Sequence, residues 1–184
     1  MEENVTIEKI EKMRHEVLEQ ISDDLNEALI AAAIRDSEDI EVEGAPEILT
    51  VIFDELGVGN DDVVGEFFFY PMGSEDDKTG FFSCVLTIAD DLDEANLPGL
   101  YEAISVLNFH VFAGSFGVSK DKKILVYRQC VPYPLSMDKD ALLDFVNAVT
   151  GNVVIVLDRW VDMVLRIAEG NGDLEDILDI LDAE

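Results

Sequence analysis

The residues of this chain that could carry out chemistry are two histidines, two cysteines and a large excess of carboxylates. His15 or His110 beside Cys84 or Cys130 would supply the base and the nucleophile that covalent catalysis needs. Both cysteines, however, lie inside apolar runs typical of strands, where a free cysteine usually packs as a small hydrophobic residue. We therefore predict no catalytic residues and no enzymatic activity.

Metal ligands do not occur at the spacings that a metal site requires. The sequence has no C-x₂-C or H-x₃₋₅-H pattern, which are spacings typical of structural zinc sites. The closest approach to a calcium loop begins at Asp91 and has Glu102 at its twelfth position, but Asn96 stands where an EF-hand needs glycine and Pro98 interrupts the loop. We predict neither a metal nor a cofactor.

Acidic residues dominate the charge of the chain. There are 41 Asp and Glu against 12 Lys and Arg, a net charge of −29, although 48% of the residues are hydrophobic. Residues 36–119 carry 19 acids and one base, and residues 169–184 carry seven acids and no base. Such a surface repels nucleic acid and anionic lipid, so neither is an expected partner. The acidic start, which lacks an apolar signal segment, favours a cytoplasmic protein.

The hydrophobic pattern predicts one α+β domain spanning residues 1–184. Apolar residues recur at helical spacing up to Ala32, so residues 5–35, within the N-terminal segment 1–35, are predicted to form one long helix. Strands are predicted at 48–56, 63–70, 80–89, 111–119 and 123–131, and further helices at 97–108, 138–169 and, as an acidic C-terminal helix, 173–184. The order α-β-β-β-α-β-β-α-α favours a mainly antiparallel five-stranded sheet with helices packed largely on one face.

Alternation in the predicted strands separates an apolar face from a mixed one. Phe82, Cys84, Leu86 and Ile88 share a purely apolar face, which we expect to pack against helices. The other face is mixed, and it provides the predicted partner-binding residues, namely Phe68, Tyr70, Phe81 and Val85. These side chains either form an exposed apolar patch for a partner or lie beneath a helix.

The segment 97–167 resembles a known family. A helix closing with Leu107-Asn108 is followed by Gly114-Ser115-Phe116-Gly117-Val118, a turn with Asp121, and a long helix carrying Phe145 and Trp160. This pattern is similar to that of class I type III secretion chaperones of the CesT/Tir-chaperone kind, with YbjN-like proteins as a related candidate. The resemblance implies a small acidic protein, often a homodimer through the helix at 97–108, that holds an extended segment of another protein without ATP.

We therefore expect a non-enzymatic, acidic module that binds an apolar or basic segment of a partner protein. Two alternatives stay open. One is an enzyme whose carboxylate site is assembled from distant parts of the chain, and the other is an inhibitor that mimics DNA through the acids of residues 36–119.

Overall fold

The computed structural model describes residues 6–35, 45–57, 61–74, 76–119, 121 and 123–182. The parts of the predicted terminal helices at residues 5, 183 and 184 lie outside the described residues. The described elements, in chain order, are α1 (Ile7–Glu27), β1 (Ala31–Arg35), β2 (Ile48–Leu56), β3 (Asp61–Phe69), β4 (Thr79–Ala89), α2 (Leu97–His110), β5 (Ser115–Ser119), β6 (Ile124–Pro134), α3 (Lys139–Ala168) and α4 (Leu174–Asp182).

The strands form one antiparallel sheet in the order β1-β2-β3-β4-β6-β5, and the helices lie on one side of it. The predicted α+β class is confirmed. The prediction of five strands was wrong by one, because the described part of the chain contains a sixth strand, β1, where the sequence predicted the end of the first helix.

Helix α1 ends well before the predicted limit at residue 35, and its last turn shows why. Leu29 has a φ of 65°, and the N–H of Ile30 donates to the carbonyl of Leu25 at 2.9 Å, which is the Schellman arrangement that closes a helix. The side chain of Asn26 then accepts from the N–H of Ala32 at 3.2 Å and donates to its carbonyl at 2.9 Å. These contacts favour a strand although the apolar spacing continues.

An asparagine at the end of α2 makes the same contact with β5. Asn108 accepts from the N–H of Phe116 at 2.8 Å and donates to its carbonyl at 2.9 Å. Gly114 precedes the strand with a φ of 65°, and a side chain there would collide with the hydroxyl of Tyr127. The left-handed turn at Gly114 delays the strand, so β5 is shorter than the predicted strand 111–119.

Strand β6 continues through Pro132 to Pro134, where the sequence predicted that the sheet would stop. The N–H of Leu135 donates to the carbonyl of Lys78 at 3.0 Å, so the alternate positions 132 and 134 turn their nitrogens away from β4. Strand β5 pairs only with residues 124–128 of β6. The proline nitrogens therefore face a side without a ladder, where a missing N–H is tolerated.

The predicted core face of β4 is confirmed. Phe82, Cys84 and Leu86 are fully buried and Ile88 is 6% exposed. The ring of Phe82 meets that of Phe145 in α3 with centroids 6.4 Å apart, so α3 contributes to the cover of this face. Close packing of this kind holds the strands whose opposite side carries the predicted partner-binding residues.

Helix α3 runs without a break through Gly151, as the periodicity predicted. By length and composition alone it is long and apolar enough to cross a membrane. Its inward positions, for example Leu142, Val153 and Leu157, are fully buried in the folded chain. A core helix can pass the same test of length and composition.

Contacts within the chain define two compact units. The first comprises Met1–Ile52, Glu66–Cys84 and Cys130–Gly151, and the second comprises Phe53–Gly65, Val85–Gln129 and Asn152–Glu184, in each case through their described residues.

Candidate protein-binding surface

The first unit presents aromatic side chains on the side of the sheet opposite its helices. Phe81 is 45% exposed, and Phe68 and Tyr70 are half-buried. The rings of Phe68 and Tyr70 pack edge to face with centroids 5.2 Å apart. We call Phe68, Tyr70 and Phe81 the aromatic face. Its residues are the predicted ones, and no described helix covers them.

Strand alternation produces the aromatic face. Phe67 and Phe69 on β3 and Phe82 on β4 turn inward and are at most 4% exposed, so their chain neighbours turn outward. The N–H of Tyr70 donates to the carbonyl of Phe81 at 2.9 Å, which sets these two residues side by side across the strands. The sheet backbone therefore fixes the spacing of the outward rings.

Charged and polar groups border the aromatic face in the same unit. The guanidinium of Arg35, at the end of β1, pairs with the carboxylate of Glu66 on β3. Its Nε donates to Oγ1 of Thr50 on β2 at 3.0 Å. Because Arg35 is already paired, it does not offset the acidic character of the rest of the surface.

Val85, the fourth predicted residue, lies in the second unit, where it is half-buried on β4. The structure thus brings Phe68, Tyr70 and Phe81 together in one unit and places Val85 in the other. The described helices lie on the other side of the sheet, so none of them covers the predicted residues.

A buried cation supports one end of the aromatic face from inside. Arg14 of α1 is 2% exposed. Its Nε donates to the hydroxyl of Tyr133 at 2.7 Å, and its Nη1 donates to Glu11 at 2.7 Å and to the backbone carbonyl of Tyr70 at 3.1 Å. The guanidinium also lies 5.3 Å from the ring centre of Phe69 and 5.8 Å from that of Tyr133. Arg14 therefore ties the carbonyl of Tyr70 to α1.

Of the residues considered for nucleophilic chemistry, Cys130 is exposed, so the prediction that both cysteines pack as small hydrophobic residues is wrong for it. Cys84 is fully buried, and burial, assisted by the nearby thiol of Cys130, raises the pKa of Cys84 far above its usual range, which keeps it protonated. His15 sits between the carboxylates of Glu47 and Glu19, with Nδ1 2.8 Å from the first and Nε2 3.3 Å from the second. Within the described residues, no three His, Cys, Asp or Glu side chains cluster as metal ligands would.

The second unit carries exposed large apolar side chains that the sequence did not lead us to predict. Phe109 is 88% exposed, Phe112 is 67% exposed and Ile155 is 59% exposed; we call these three residues the Phe109 patch. Phe112 and Ile155 line a cavity of about 130 Å³ beside Trp160, over whose ring the guanidinium of Arg159 lies at 4.9 Å. These are the kinds of side chain that large exposed patches use for binding.

A signal for the Phe109 patch was present in the sequence. The buried stripe of α2 includes Leu100, Ile104 and Leu107, and Phe109 falls two residues beyond the last of these, off the stripe. Phe112 was predicted to lie in a strand, but β5 begins only at Ser115, which leaves Phe112 in an exposed turn.

Comparisons with known proteins give structural likenesses but no family. No family model matches the chain, and no curated protein matches it. The solved structure of YbjN from E. coli is 14% identical, covers 76% of this chain and 87% of its own, and has a TM-score of 0.38. An uncharacterized protein from Methanothermobacter thermautotrophicus is 17% identical, covers 85% of this chain and 99% of its own, and has a TM-score of 0.42.

Proposed function

We propose that this chain is a non-enzymatic module that binds a segment of another protein on the aromatic face. The observation that carries the proposal is that Phe68, Tyr70 and Phe81 lie on a side of the sheet that no described helix covers, in a chain of net charge −29. The preferred segment has apolar side chains for the rings and basic side chains for the acidic surroundings.

The contact energy would come from the rings and the selectivity from the charge. Aromatic side chains on a rigid sheet offer a large apolar area and lose little conformational entropy when they are covered. A strongly acidic surface speeds the approach of basic segments and repels acidic ones. The affinity for a basic segment should therefore fall as salt is added, mainly because association becomes slower.

The chaperone-like part of the proposal concerns what the binding achieves. The resemblance of residues 97–167 to secretion chaperones favours a module that holds an extended segment without ATP. An aromatic surface fixed by the backbone of β3 and β4 suits that role, because it requires no movement and no nucleotide.

We also propose that the chain forms a homodimer, and that the Phe109 patch is the contact. Phe109 lies in α2, the helix that the resemblance assigns to the interface, and the three side chains are the most exposed large apolar ones among the described residues of the second unit. Two copies of charge −29 repel each other. The dimer should therefore become more stable as salt is added, which is the opposite of the response expected for a basic segment.

The test uses the two surfaces as controls for each other. A photo-crosslinking amino acid at position 81 identifies a bound segment, and the corresponding synthetic peptide is then titrated by calorimetry. Phe81→Ser should weaken peptide binding about tenfold or more, as at an ordinary hot spot, and leave sedimentation unchanged. Phe112→Ser should lower self-association and leave peptide binding unchanged.

Two outcomes would contradict these proposals. Equal loss of peptide affinity in both variants, each with unchanged thermal stability, would show that binding is not located on the aromatic face. A protein that sediments as a monomer at all salt concentrations would contradict the homodimer.

A further inference from the structure

The small cavity of the second unit has the size of one side chain. Its volume is about 130 Å³, which is well below the roughly 300–1,000 Å³ of sites that bind small molecules. An apolar protein cavity of about 150 Å³ is large enough to hold benzene. The cavity is therefore suited to a single aromatic ring.

The walls of the cavity suit an aromatic ring in their chemistry as well. Phe112 and Ile155 line it, and the ring of Trp160, which is 4% exposed, lies beside them. Aromatic rings attract one another by more than the area that they bury. An aromatic side chain that enters the cavity would thus meet two further rings.

An exposed ring of matching size lies next to the cavity. Phe109 is 88% exposed, and its ring centroid is 5.7 Å from that of His110, which lines the cavity. Because its ring stands in solvent, Phe109 does not fill the cavity of its own chain. The second unit therefore carries, side by side, a ring and a cavity that fits a ring.

We propose that two copies of this chain exchange Phe109, so that the ring of each copy enters the cavity of the other. The inference rests on the proposed homodimer and states how its contact is made. In a dimer with twofold symmetry, a surface patch meets the same patch of the partner. A ring beside a cavity is self-complementary under that symmetry, so a single pairing buries both rings.

The charge of the chain favours this place for a contact between two copies. Molecules with a net charge of −29 repel each other. Although the chain has 41 acidic residues, none of the described residues that line the cavity is Asp or Glu. The ring of one copy can therefore enter the cavity of the other without bringing a carboxylate of the cavity wall against it.

Two variants that each remove a different half of the contact test the exchange. Phe109→Ala removes the ring and leaves the cavity open, whereas Ile155→Trp keeps the ring and places a larger side chain at the cavity. Both positions are more than half exposed, so the melting temperatures should match that of the parent. A dimer of either variant alone has no inserted ring. A mixed dimer has one, because the ring of the Ile155→Trp chain enters the cavity of the Phe109→Ala chain.

Sedimentation equilibrium at high salt, where screening weakens the repulsion between copies, measures the association of each variant and of the mixture. Burial of one phenylalanine ring contributes about a factor of ten or more in affinity. Each variant alone should therefore dimerise about 100-fold more weakly than the parent, and the mixed dimer only about tenfold more weakly. Isotope labelling of one variant lets native mass spectrometry count mixed and unmixed dimers.

Matched changes in the first unit control for the general effect of apolar surface. Phe81→Ala removes a ring that is 45% exposed, and Ile52→Trp adds an indole at a position that is 40% exposed. Neither change should alter self-association, whether the two variants are measured alone or mixed. Weakening by these changes as large as that by Phe109→Ala and Ile155→Trp would overturn the proposal.

The remaining outcomes distinguish the exchange from the homodimer itself. If the parent dimerises but the mixed dimer is no tighter than the tighter of the two variant dimers, the exchange is wrong and the homodimer stands. Two Phe109 rings that only stack on each other would give that result, since the mixture would then have an intermediate affinity. A parent chain that sediments as a monomer at every salt concentration would overturn both proposals.

Discussion

Replacing Tyr133 by phenylalanine should expose how much the fold depends on the buried Arg14. The hydroxyl of Tyr133 accepts from Nε of Arg14 at 2.7 Å. Because Arg14 is only 2% exposed, water cannot easily replace the lost hydroxyl as its hydrogen-bond acceptor. A hydrogen bond to a charged group contributes about 1.5–3 kcal/mol. We therefore expect Tyr133→Phe to lower the free energy of unfolding by about 2 kcal/mol.

The reciprocal change, Arg14→Met, removes more contacts and also a cost. It abolishes the hydrogen bonds to Tyr133, Glu11 and the carbonyl of Tyr70, but it also removes the desolvation penalty of a buried cation. The side chain of Glu11 is 48% exposed and stays solvated without its partner. The expected loss is about 2–4 kcal/mol, at or below the range for breaking a buried pair.

The double variant tests whether these two residues act together. The Arg14–Tyr133 hydrogen bond can be lost only once. The loss of unfolding free energy in the double variant should therefore be about 1–2 kcal/mol smaller than the sum of the two single losses. Urea unfolding followed by circular dichroism and tryptophan fluorescence measures each value. Tyr101→Phe, at a tyrosine that is 40% exposed, is the matched control and should stay within about 0.5 kcal/mol of the parent.

Single losses that add within about 0.5 kcal/mol in the double variant, or a Tyr133→Phe variant as stable as the parent, would contradict this expectation. Either result would mean that the contact has no energetic role.

Three further changes follow from particular residues. Leu29→Gly should raise the free energy of unfolding by about 0.5–1 kcal/mol, because the left-handed conformation of Leu29 costs nothing for glycine and its side chain is 92% exposed; a lower melting temperature would contradict this. Cys130 is exposed and Cys84 is buried, so a thiol reagent should modify one cysteine per folded chain at once and the second only after denaturant is added; two rapidly modified thiols would be inconsistent with the buried strand. Burial raises the pKa of Tyr133 above its usual value near 10, so the unfolded chain releases that proton first and the free energy of unfolding should fall as the pH rises above about 10. In Tyr133→Phe this free energy should fall less steeply with pH. Parallel pH dependences of the parent and the variant would argue against a raised pKa of Tyr133.

The sequence predicted the helices and strands that have a periodic pattern of apolar residues facing the core. The alternating apolar residues of β4 form one face of the strand, and the apolar residues of α3 form one stripe of the helix. Both are buried as expected. Periodicity did not reveal the end of α1, because Ala28, Leu29 and Ala32 continue the helical spacing. The Schellman turn at Leu29 closes the helix, and the side chain of Asn26 then hydrogen-bonds the backbone of the strand that follows.

The same limit applies to the surfaces. The aromatic face could be predicted, since Phe68, Tyr70 and Phe81 alternate with core residues along their strands. The cluster around Arg14 could not, because it joins side chains 119 positions apart in the chain and leaves no local pattern.

The two asparagines that contact the outermost strands limit the growth of the sheet. In β1, Asn26 occupies both backbone groups of Ala32, and in β5, Asn108 occupies both groups of Phe116. Each edge strand has five residues, and only alternate residues direct their backbone N–H and C=O groups away from the sheet. Within the described chain, each edge strand therefore offers an incoming strand at most one further donor and acceptor pair. Two short edge strands with few free backbone groups offer little template for edge-to-edge pairing of folded molecules. Edge-to-edge association of folded molecules should therefore stay weak at high salt concentration, where screening removes the charge repulsion between them.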